Sequence, residues 1–84
     1  RTTGNRLQKS VYTRKYRKLI EYLRETRTAA NLTQADVAKA LKRPQSFVSK
    51  CESGERRIDV IELLELCRLY GISPEKILKT LQSA

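Results

Sequence analysis

The chain has 84 residues, enough for one small domain, and 39% of them are hydrophobic, which suffices for a modest core. Its net charge is +9 and its sequence pI is about 10.0, a balance that favours a polyanion such as nucleic acid over a membrane surface as partner. With no His and two Cys, one chain cannot supply four zinc ligands, and no apolar run is long enough to cross a bilayer.

The basic charge is concentrated before residue 58. Residues 1–27 hold nine Lys/Arg against two Glu, a net +7, and residues 28–57 hold six against three acids, a net +3. Residues 58–84 hold three Lys/Arg against four acids, a net −1. A one-sided basic field is typical of a surface that binds nucleic acid, although a basic protein without such a partner is the simpler alternative. No secretory signal is present, so a reducing cytoplasm is the expected location.

Residues 1–10 are polar, basic and without apolar periodicity, and they predict a flexible basic arm in front of a folded domain at residues 11–84. The first helix is predicted to begin between Ser10 and Arg14. Its apolar residues follow the i, i+3, i+4, i+7 spacing of one helix face: Tyr16, Leu19, Ile20 and Leu23. Asn31 is predicted to end the helix, since Asn tolerates the left-handed backbone conformation.

The second and third helices are predicted to be short and to meet at a tight corner. Thr33 followed by Asp36 predicts a capping box, and the second helix is expected to end near Leu41. Pro44 suits the first turn of a third helix, where a missing N–H costs nothing, and Gly54 is expected to end that helix. Its polar residues, which a core would not need, are Gln45, Ser46, Ser49, Lys50 and Ser53.

Two more helices are predicted in the C-terminal part of the chain. Asp59 with Glu62 forms a second capping pair, and Gly71 is expected to end the helix that this pair opens. Ser73 and Pro74 provide a cap and a first-turn proline for the fifth helix. No strand is predicted, so the expected fold is all-α, a compact domain of five helices with the basic arm before it.

The fourth and fifth helices, at about residues 59–82, have more apolar residues than one buried face needs. The predicted core residues of the fourth helix are Val60, Leu63, Leu64 and Cys67. The surplus residues, predicted to form a homodimer interface, are Ile61, Leu66, Leu69, Tyr70, Ile77, Leu78 and Leu81. Cys51 and Cys67 are expected to be small core side chains, and a disulfide between them is the alternative.

Three segments carry a family resemblance: LTQADVAKAL at 32–41, QSFVSKCESGERR at 45–57 and LLELCRLYGIS at 63–73. They resemble the lambda-repressor-like helix-turn-helix family, which includes the Cro/cI-type regulators and the XRE group. The resemblance covers about residues 16–81, with the helix-turn-helix unit at about 33–54. It implies a sequence-specific transcriptional regulator, bacterial or phage-derived and nucleoid-associated, that binds double-stranded DNA. The expected mode is that of a repressor, a homodimer reading a palindromic operator through the major groove, and dimerisation completed only on DNA is the alternative.

The resemblance also implies roles for individual residues. The third helix is expected to read bases with Gln45, Ser46, Ser49, Lys50 and Phe47, although Phe47 is equally compatible with contacting a thymine methyl group and with packing inward. DNA backbone contacts are expected from Gln34, Lys42, Arg43, Arg56, Arg57, Arg14, Lys15, Arg17 and Lys18. Arg27 and Glu52 are expected to pair and to hold the first helix against the third, the alternative being two solvated charges. In the arm, Arg1, Arg6 and Lys9 either follow a groove of the DNA or remain solvated.

The corner between the second and third helices departs from the family pattern at three positions. Lys42 replaces the usual Gly, where a left-handed backbone costs about 1 kcal/mol or more, so either the turn is altered or contact with a phosphate compensates for the strain. Arg43 replaces an apolar residue, and its stem is expected to cover the core while the guanidinium contacts DNA. Pro44 replaces the usual Ser/Thr cap.

Other functions receive less support from the sequence. An antitoxin or a restriction-modification controller would use the same DNA-binding chemistry, and a protein-interaction module could retain the fold without binding DNA. An enzyme is not expected, because the sequence has no His, no suggestive acid pair and no Gly-rich phosphate loop. Neither a cofactor nor a small-molecule effector is indicated.

Overall fold

The computed structural model describes the backbone of residues 2–83 and the side chains of residues 14–83. Across this range the chain forms five α-helices and no strand, so the predicted fold class is confirmed. The helices are α1 (Thr2–Ala29), α2 (Gln34–Leu41), α3 (Gln45–Ser53), α4 (Val60–Tyr70) and α5 (Pro74–Gln82).

The first helix begins earlier than the sequence analysis predicted. Helical backbone starts at Thr2 rather than between Ser10 and Arg14, and it runs through the segment that was predicted to be an arm. This segment contains no Pro, the residue that most strongly ends a helix, and only one Gly, Gly4. The arm side chains considered for groove contact, those of Arg1, Arg6 and Lys9, lie outside the described residues.

Side-chain caps set the starts of α2 and α4, as their sequence patterns predict. The Thr33 hydroxyl accepts a hydrogen bond from the Asp36 N–H (3.0 Å), and the Asp36 carboxylate accepts one from the Thr33 N–H (2.9 Å). This second bond is the main reason why the pKa of Asp36 is lowered. Asp59 and Glu62 make the same reciprocal pair at the start of α4, at 2.8 and 3.1 Å. Left-handed residues follow the first four helices: Asn31, Lys42, Gly54 and Gly71.

The core lies along α1, which packs against α3, α4 and α5, while α2 packs mainly on α3. The apolar face predicted for α1 points inward, and the side chains that are almost completely buried come from three other helices: Val37, Cys67 and Ile77. Cys51 and Cys67 are free thiols in this core, and burial raises the pKa of each. Because α1 packs against the apolar side of α3, the polar side of α3 faces outward.

The buried face of α4 differs from the prediction. Val60 and Leu64, which were predicted to lie in the core, are 69% and 45% exposed, whereas Leu66 and Tyr70, which were predicted at a dimer interface, are buried. Ile77 of α5 is likewise a core residue and not an interface residue, since its side chain is only 1% exposed. Leu69 and Leu81 are partly buried against the core. The predicted interface residues that remain exposed are Ile61 and Leu78, at 63% and 55%.

No helix within the described residues has the length and apolar character needed to cross a membrane.

Candidate nucleic-acid interface

The outward side of α3 is a polar surface on a rigid support. Gln45, Ser46 and Lys50 are exposed and Ser49 is half-buried, while Phe47, Val48 and Cys51 face the core. The Ser49 hydroxyl donates to the Ser46 carbonyl (3.3 Å), a bond within the helix that leaves its oxygen able to accept from another partner. Four of the residues predicted to read bases therefore share the solvent side of one short helix.

The turn before α3 keeps the family geometry although its Gly is replaced. Lys42 has φ 58° and ψ 46°, so a lysine adopts the left-handed conformation and the turn is unaltered. The Lys42 N–H donates to the Lys39 carbonyl (3.2 Å) and the Arg43 N–H donates to the Ala38 carbonyl (2.9 Å), which closes the end of α2. Pro44 precedes α3 in an extended conformation and provides no side-chain cap, so the first N–H groups of α3 are left for solvent or a ligand.

Phe47 packs inward, so its expected role in base readout is wrong. The residue is 8% exposed, and two guanidinium groups lie over its ring, those of Arg43 at 4.4 Å and Arg56 at 4.6 Å from the ring centroid. This stacking covers an aromatic ring that would otherwise face solvent beside the turn. The sequence analysis left the inward orientation open but did not predict the two flanking arginines.

Glu62 joins these two arginines from the start of α4. Its carboxylate accepts two hydrogen bonds from Arg56, at 2.8 and 2.9 Å, and one from Arg43 at 3.4 Å. The Glu62 side chain is 7% exposed, and the hydrogen bonds from Arg56 are the main cause of its lowered pKa. Sequence reasoning recognised Glu62 only as a capping residue, because its arginine partners lie in two irregular segments, before and after α3, whose path the spacing of residues does not predict.

A second buried network connects α1, α2 and α3. The pair expected between Arg27 and Glu52 is present, with the Arg27 Nε 2.6 Å from one carboxylate oxygen and Nη2 3.1 Å from the other. Arg27 also donates to the Leu32 carbonyl (2.7 Å), and Gln34 Nε2 donates to Glu52 (2.9 Å). Gln34, expected at the DNA backbone, is therefore fixed in position and retains one amide N–H for a second acceptor.

The loop after α3 is attached to α1 by Tyr16. The Tyr16 hydroxyl accepts from the Ile58 N–H (2.9 Å) and lies 3.5 Å from the Arg56 carbonyl, to which it donates. The Arg57 guanidinium stacks on the Tyr16 ring, 4.4 Å from its centroid. These contacts place Arg57 in the loop just after α3. The sequence analysis assigned Tyr16 only to the apolar face of the first helix.

The basic residues at the start of the described part of α1 do not share one surface. Arg17 lies beside Ser53 and Gly54 at the end of α3. Lys15 donates to the Leu81 carbonyl of α5 (3.2 Å), and Lys18 lines a shallow groove with Tyr22 and Thr80. Lys15 and Lys18 therefore lie on the side of α1 that faces α5, and the structure does not bring them together with the polar face of α3. Arg14 is exposed.

No cluster of His, Cys, Asp or Glu that could hold a metal ion is found among the side chains of residues 14–83. The Tyr70 hydroxyl is buried near Glu52, and burial is the main reason why its pKa is raised to about 12. It therefore stays neutral in the core at any physiological pH.

Two short helices that meet at a left-handed residue, with the second presenting a polar face outward, define a helix-turn-helix domain of the DNA-binding class. A family model described as a helix-turn-helix domain matches residues 19–78. Since this match covers more than half of the chain, the protein belongs to the helix-turn-helix family, and its structural similarity places it in the XRE-type group.

That similarity is to the solved structure of an XRE-family like protein from Pseudomonas syringae pv. tomato str. DC3000. The two chains are 44% identical, the match covers 92% of this chain and 94% of the other, and the TM-score is 0.86. A comparison with curated proteins gives no significant match. The family and the fold together support a DNA-binding regulator in general.

Proposed function

We propose that the protein is a sequence-specific transcriptional repressor that reads a palindromic operator through the major groove. The observation that carries the proposal is the outward face of α3. Gln45, Ser46 and Lys50 are exposed on it, and their helix is attached to the core by buried Phe47, Val48 and Cys51. Gln and Lys are side chains that bind base edges in the major groove, and a rigid support is what such readout requires.

Side chains around this face would contact the DNA backbone and fix the position of α3 on DNA. Lys42 and Arg43 precede the helix, Gln34 stands at the start of α2 with an amide N–H unused, and Arg57 follows the helix. Arg14 and Arg17 are exposed on α1 and extend the basic surface. Arg56 is the weakest member of the expected set, because its guanidinium already makes three hydrogen bonds within the protein.

Dimerisation would place two recognition helices on one operator. On α4, Val60, Ile61 and Leu64 share one exposed side, and Leu78 is exposed on α5. Isolated exposed apolar residues are common, but a group on one helix side of a small domain favours an interface. We propose a two-fold dimer through α4 and α5, with the recognition helices about 34 Å apart so that they enter successive major grooves. Occupation of the operator would then exclude polymerase.

Selection of binding sites from random duplex DNA, at about physiological salt, tests this function. A palindromic motif with half-sites about one helical turn apart is the expected result. Binding that is salt-sensitive but enriches no sequence would contradict the regulator proposal, and no salt-dependent binding at all would favour a protein-interaction module. An antitoxin or restriction controller would give the same motif, and the neighbouring gene would distinguish these roles.

Two variants separate base readout from backbone contact. Gln45→Ala should relax one position in each half-site, with a loss of about 1–3 kcal/mol on the preferred base. Lys42→Gly should leave the selected motif unchanged but weaken binding to all sequences and reduce the salt slope by about 1. If Gln45→Ala left every position of the motif intact, Gln45 would not be a base-reading residue.

A further inference from the structure

Glu62 is a nearly buried acid that holds arginines from two different loops. Arg56, in the loop after α3, binds both of its carboxylate oxygens, and Arg43, in the turn before α3, reaches one of them. The carboxylate thus connects the two chain segments that flank the recognition helix. Its role as a cap of α4 requires only the bond from the Asp59 N–H, so the contacts with the arginines are additional to capping.

The Phe47 ring completes this arrangement. Arg43 and Arg56 stack over the ring, 4.4 and 4.6 Å from its centroid, and the ring belongs to the first turn of α3. A guanidinium that stacks on an aromatic ring and also bonds to a carboxylate has a restricted orientation, because its plane and its in-plane direction are both set. The position of the two arginines is therefore coupled to the position of α3.

The two guanidinium groups differ in how many donors they have left. Arg56 makes two bonds to Glu62 and a third to the Arg57 carbonyl (2.8 Å). Arg43 makes one long bond, at 3.4 Å, within the described part of the chain, and its side chain is 41% exposed. Since a guanidinium has five N–H donors, Arg43 keeps most of them for an external acceptor, and Arg56 serves mainly to hold Glu62 in place.

We propose that Glu62 is a positioning residue for operator recognition, which acts by orienting Arg43 towards a single DNA backbone phosphate next to the recognition helix. This inference rests on the proposed function. It adds that the acid does not touch DNA, and that the Glu62–Arg56 pair and the Phe47 ring form the support on which Arg43 is held. The ligand chemistry is a phosphodiester, which a guanidinium binds with two parallel hydrogen bonds.

An oriented phosphate contact affects specific and non-specific binding differently. A backbone contact carries no sequence information, but it fixes the register in which Gln45 and Ser46 meet the base edges. Non-specific binding depends mainly on the number of cations and hardly on their orientation. Release of Arg43 from Glu62 should therefore weaken binding to the operator while binding to unrelated DNA is unchanged or stronger, because one acid has been removed.

The test is Glu62→Gln, measured as the ratio of affinities for the selected operator and for an unrelated duplex. Gln keeps a carbonyl oxygen that can accept from the Asp59 N–H, so the cap of α4 is retained. The expected result is a fall of roughly tenfold in the ratio, the size typical when one buried hydrogen-bonded charge is lost. The matched control is Glu75→Gln, which removes an exposed first-turn acid of α5 with the same change in net charge and should leave the ratio unchanged.

Arg43→Gln shows whether Glu62 acts through Arg43. If it does, Glu62→Gln should change the ratio less than about twofold in the Arg43→Gln background, since the effects of coupled residues are not additive. An unchanged ratio for Glu62→Gln alone, or the same loss in both backgrounds, would overturn the inference.

Failure of the proposed function and failure of the Glu62→Gln variant to fold can each be distinguished from failure of the inference. If the wild-type protein shows no preference for any duplex, the proposed function fails and the inference fails with it, since no register exists to be fixed. If Glu62→Gln does not fold, Arg43→Lys replaces it. This variant keeps the charge but loses the planar fork, so the ratio should fall while the salt slope on unrelated DNA stays the same, and an unchanged ratio would overturn the inference.

Discussion

At the scale of single residues, Lys42 shows how this domain accepts local strain in the turn between α2 and α3. A lysine occupies the left-handed conformation at φ 58°, where a Cβ atom is unfavourable. Two backbone hydrogen bonds close the turn around it, so the surrounding structure determines the conformation. The side chain is exposed, which makes it available for a phosphate next to α3.

Lys42→Gly should therefore stabilise the free protein and weaken its binding to DNA. Removing the Cβ from a left-handed position should raise the free energy of unfolding by up to about 1 kcal/mol, or roughly 4–8 °C in melting temperature for a domain of this size. Thermal denaturation followed by circular dichroism measures the change. Asn31→Gly is the matched control at φ 62°, and its gain should be smaller because Asn tolerates this conformation. A destabilised Lys42→Gly protein would contradict the account of strain.

Residue identity alone did not decide the roles of Phe47 and Arg56. Both lie in the segment at 45–57 that resembles the family motif, and an aromatic residue or a cation in this segment is compatible with DNA contact. The structure directs Phe47 inward and commits Arg56 to Glu62. For Arg56 the deciding factor is the position of α4, because the Glu62 carboxylate in the first turn of α4 binds its guanidinium.

At the scale of elements, the buried network of Arg27, Glu52 and Gln34 determines how α3 sits on α1 and α2. The Arg27 and Glu52 side chains are each 10% exposed, so neither charge is solvated if its partner is removed. Gln34 shares the same carboxylate. The start of α2 and the last turn of α3 are thus linked to each other and to α1.

Arg27→Ala should lower the free energy of unfolding by about 3 kcal/mol, since it leaves a buried carboxylate without its cation. Chemical denaturation at neutral pH measures the loss. The control is the double variant Arg27→Met with Glu52→Leu, which removes both charges and fills their volume, and it should recover most of the stability. If the Arg27→Ala protein melted at the wild-type temperature, the pair would not hold α1 to α3.

The buried face of α4 could not be predicted from periodicity. Eight of its eleven positions are apolar, so almost any face fits a helical pattern of hydrophobic residues. The choice is made by α1 and α5, which cover the side that contains Leu66, Cys67 and Tyr70. Val60, Ile61 and Leu64 lie on another side of α4 and are exposed.

At the scale of the whole molecule, the basic charge and the exposed apolar group occupy different regions of the sequence. Residues 1–57, the part of the sequence that contains α3, carry a net +10, from +7 and +3, whereas residues 58–84 carry a net −1 and the exposed apolar side chains of α4 and α5. This division agrees with one region for DNA and another for a second copy of the chain, since a dimer interface does not benefit from concentrated like charge.

Ile61→Lys should weaken dimerisation without unfolding the domain, because the side chain is 63% exposed in the monomer and its replacement opens no cavity. The advantage of a full palindrome over an isolated half-site should fall by about 100-fold, the lower range of gains from linking two binding modules. Sedimentation equilibrium and binding to full and half operators measure the two effects. Thr28→Lys adds the same charge at an exposed position of α1 and should change neither. If Ile61→Lys dimerised as strongly as the wild-type protein, Ile61 would not be part of the dimer interface.

The sequence by itself determined the helix ends and the helix-turn-helix unit. Capping pairs, left-handed residues and the first-turn Pro74 act within a few residues of one another, so their effects are local and can be predicted from spacing. Pro44, predicted in the first turn of the third helix, instead lies at the N-cap position before α3. The reach of α1 to Thr2 is the exception, because no local signal marks its start.

Only the tertiary structure decided which side chains of these helices are free to bind. The inward position of Phe47, the contact of Lys15 with α5 and the buried face of α4 depend on how the helices pack on one another. The pairing of Arg56 with Glu62, only six residues apart, depends on how the loop after α3 leads into α4. A side chain is available for DNA or for a second subunit only when no other helix or loop has already enclosed it. Which side chains are enclosed depends on the packing of all five helices together, and it cannot be predicted from the spacing of residues along one helix.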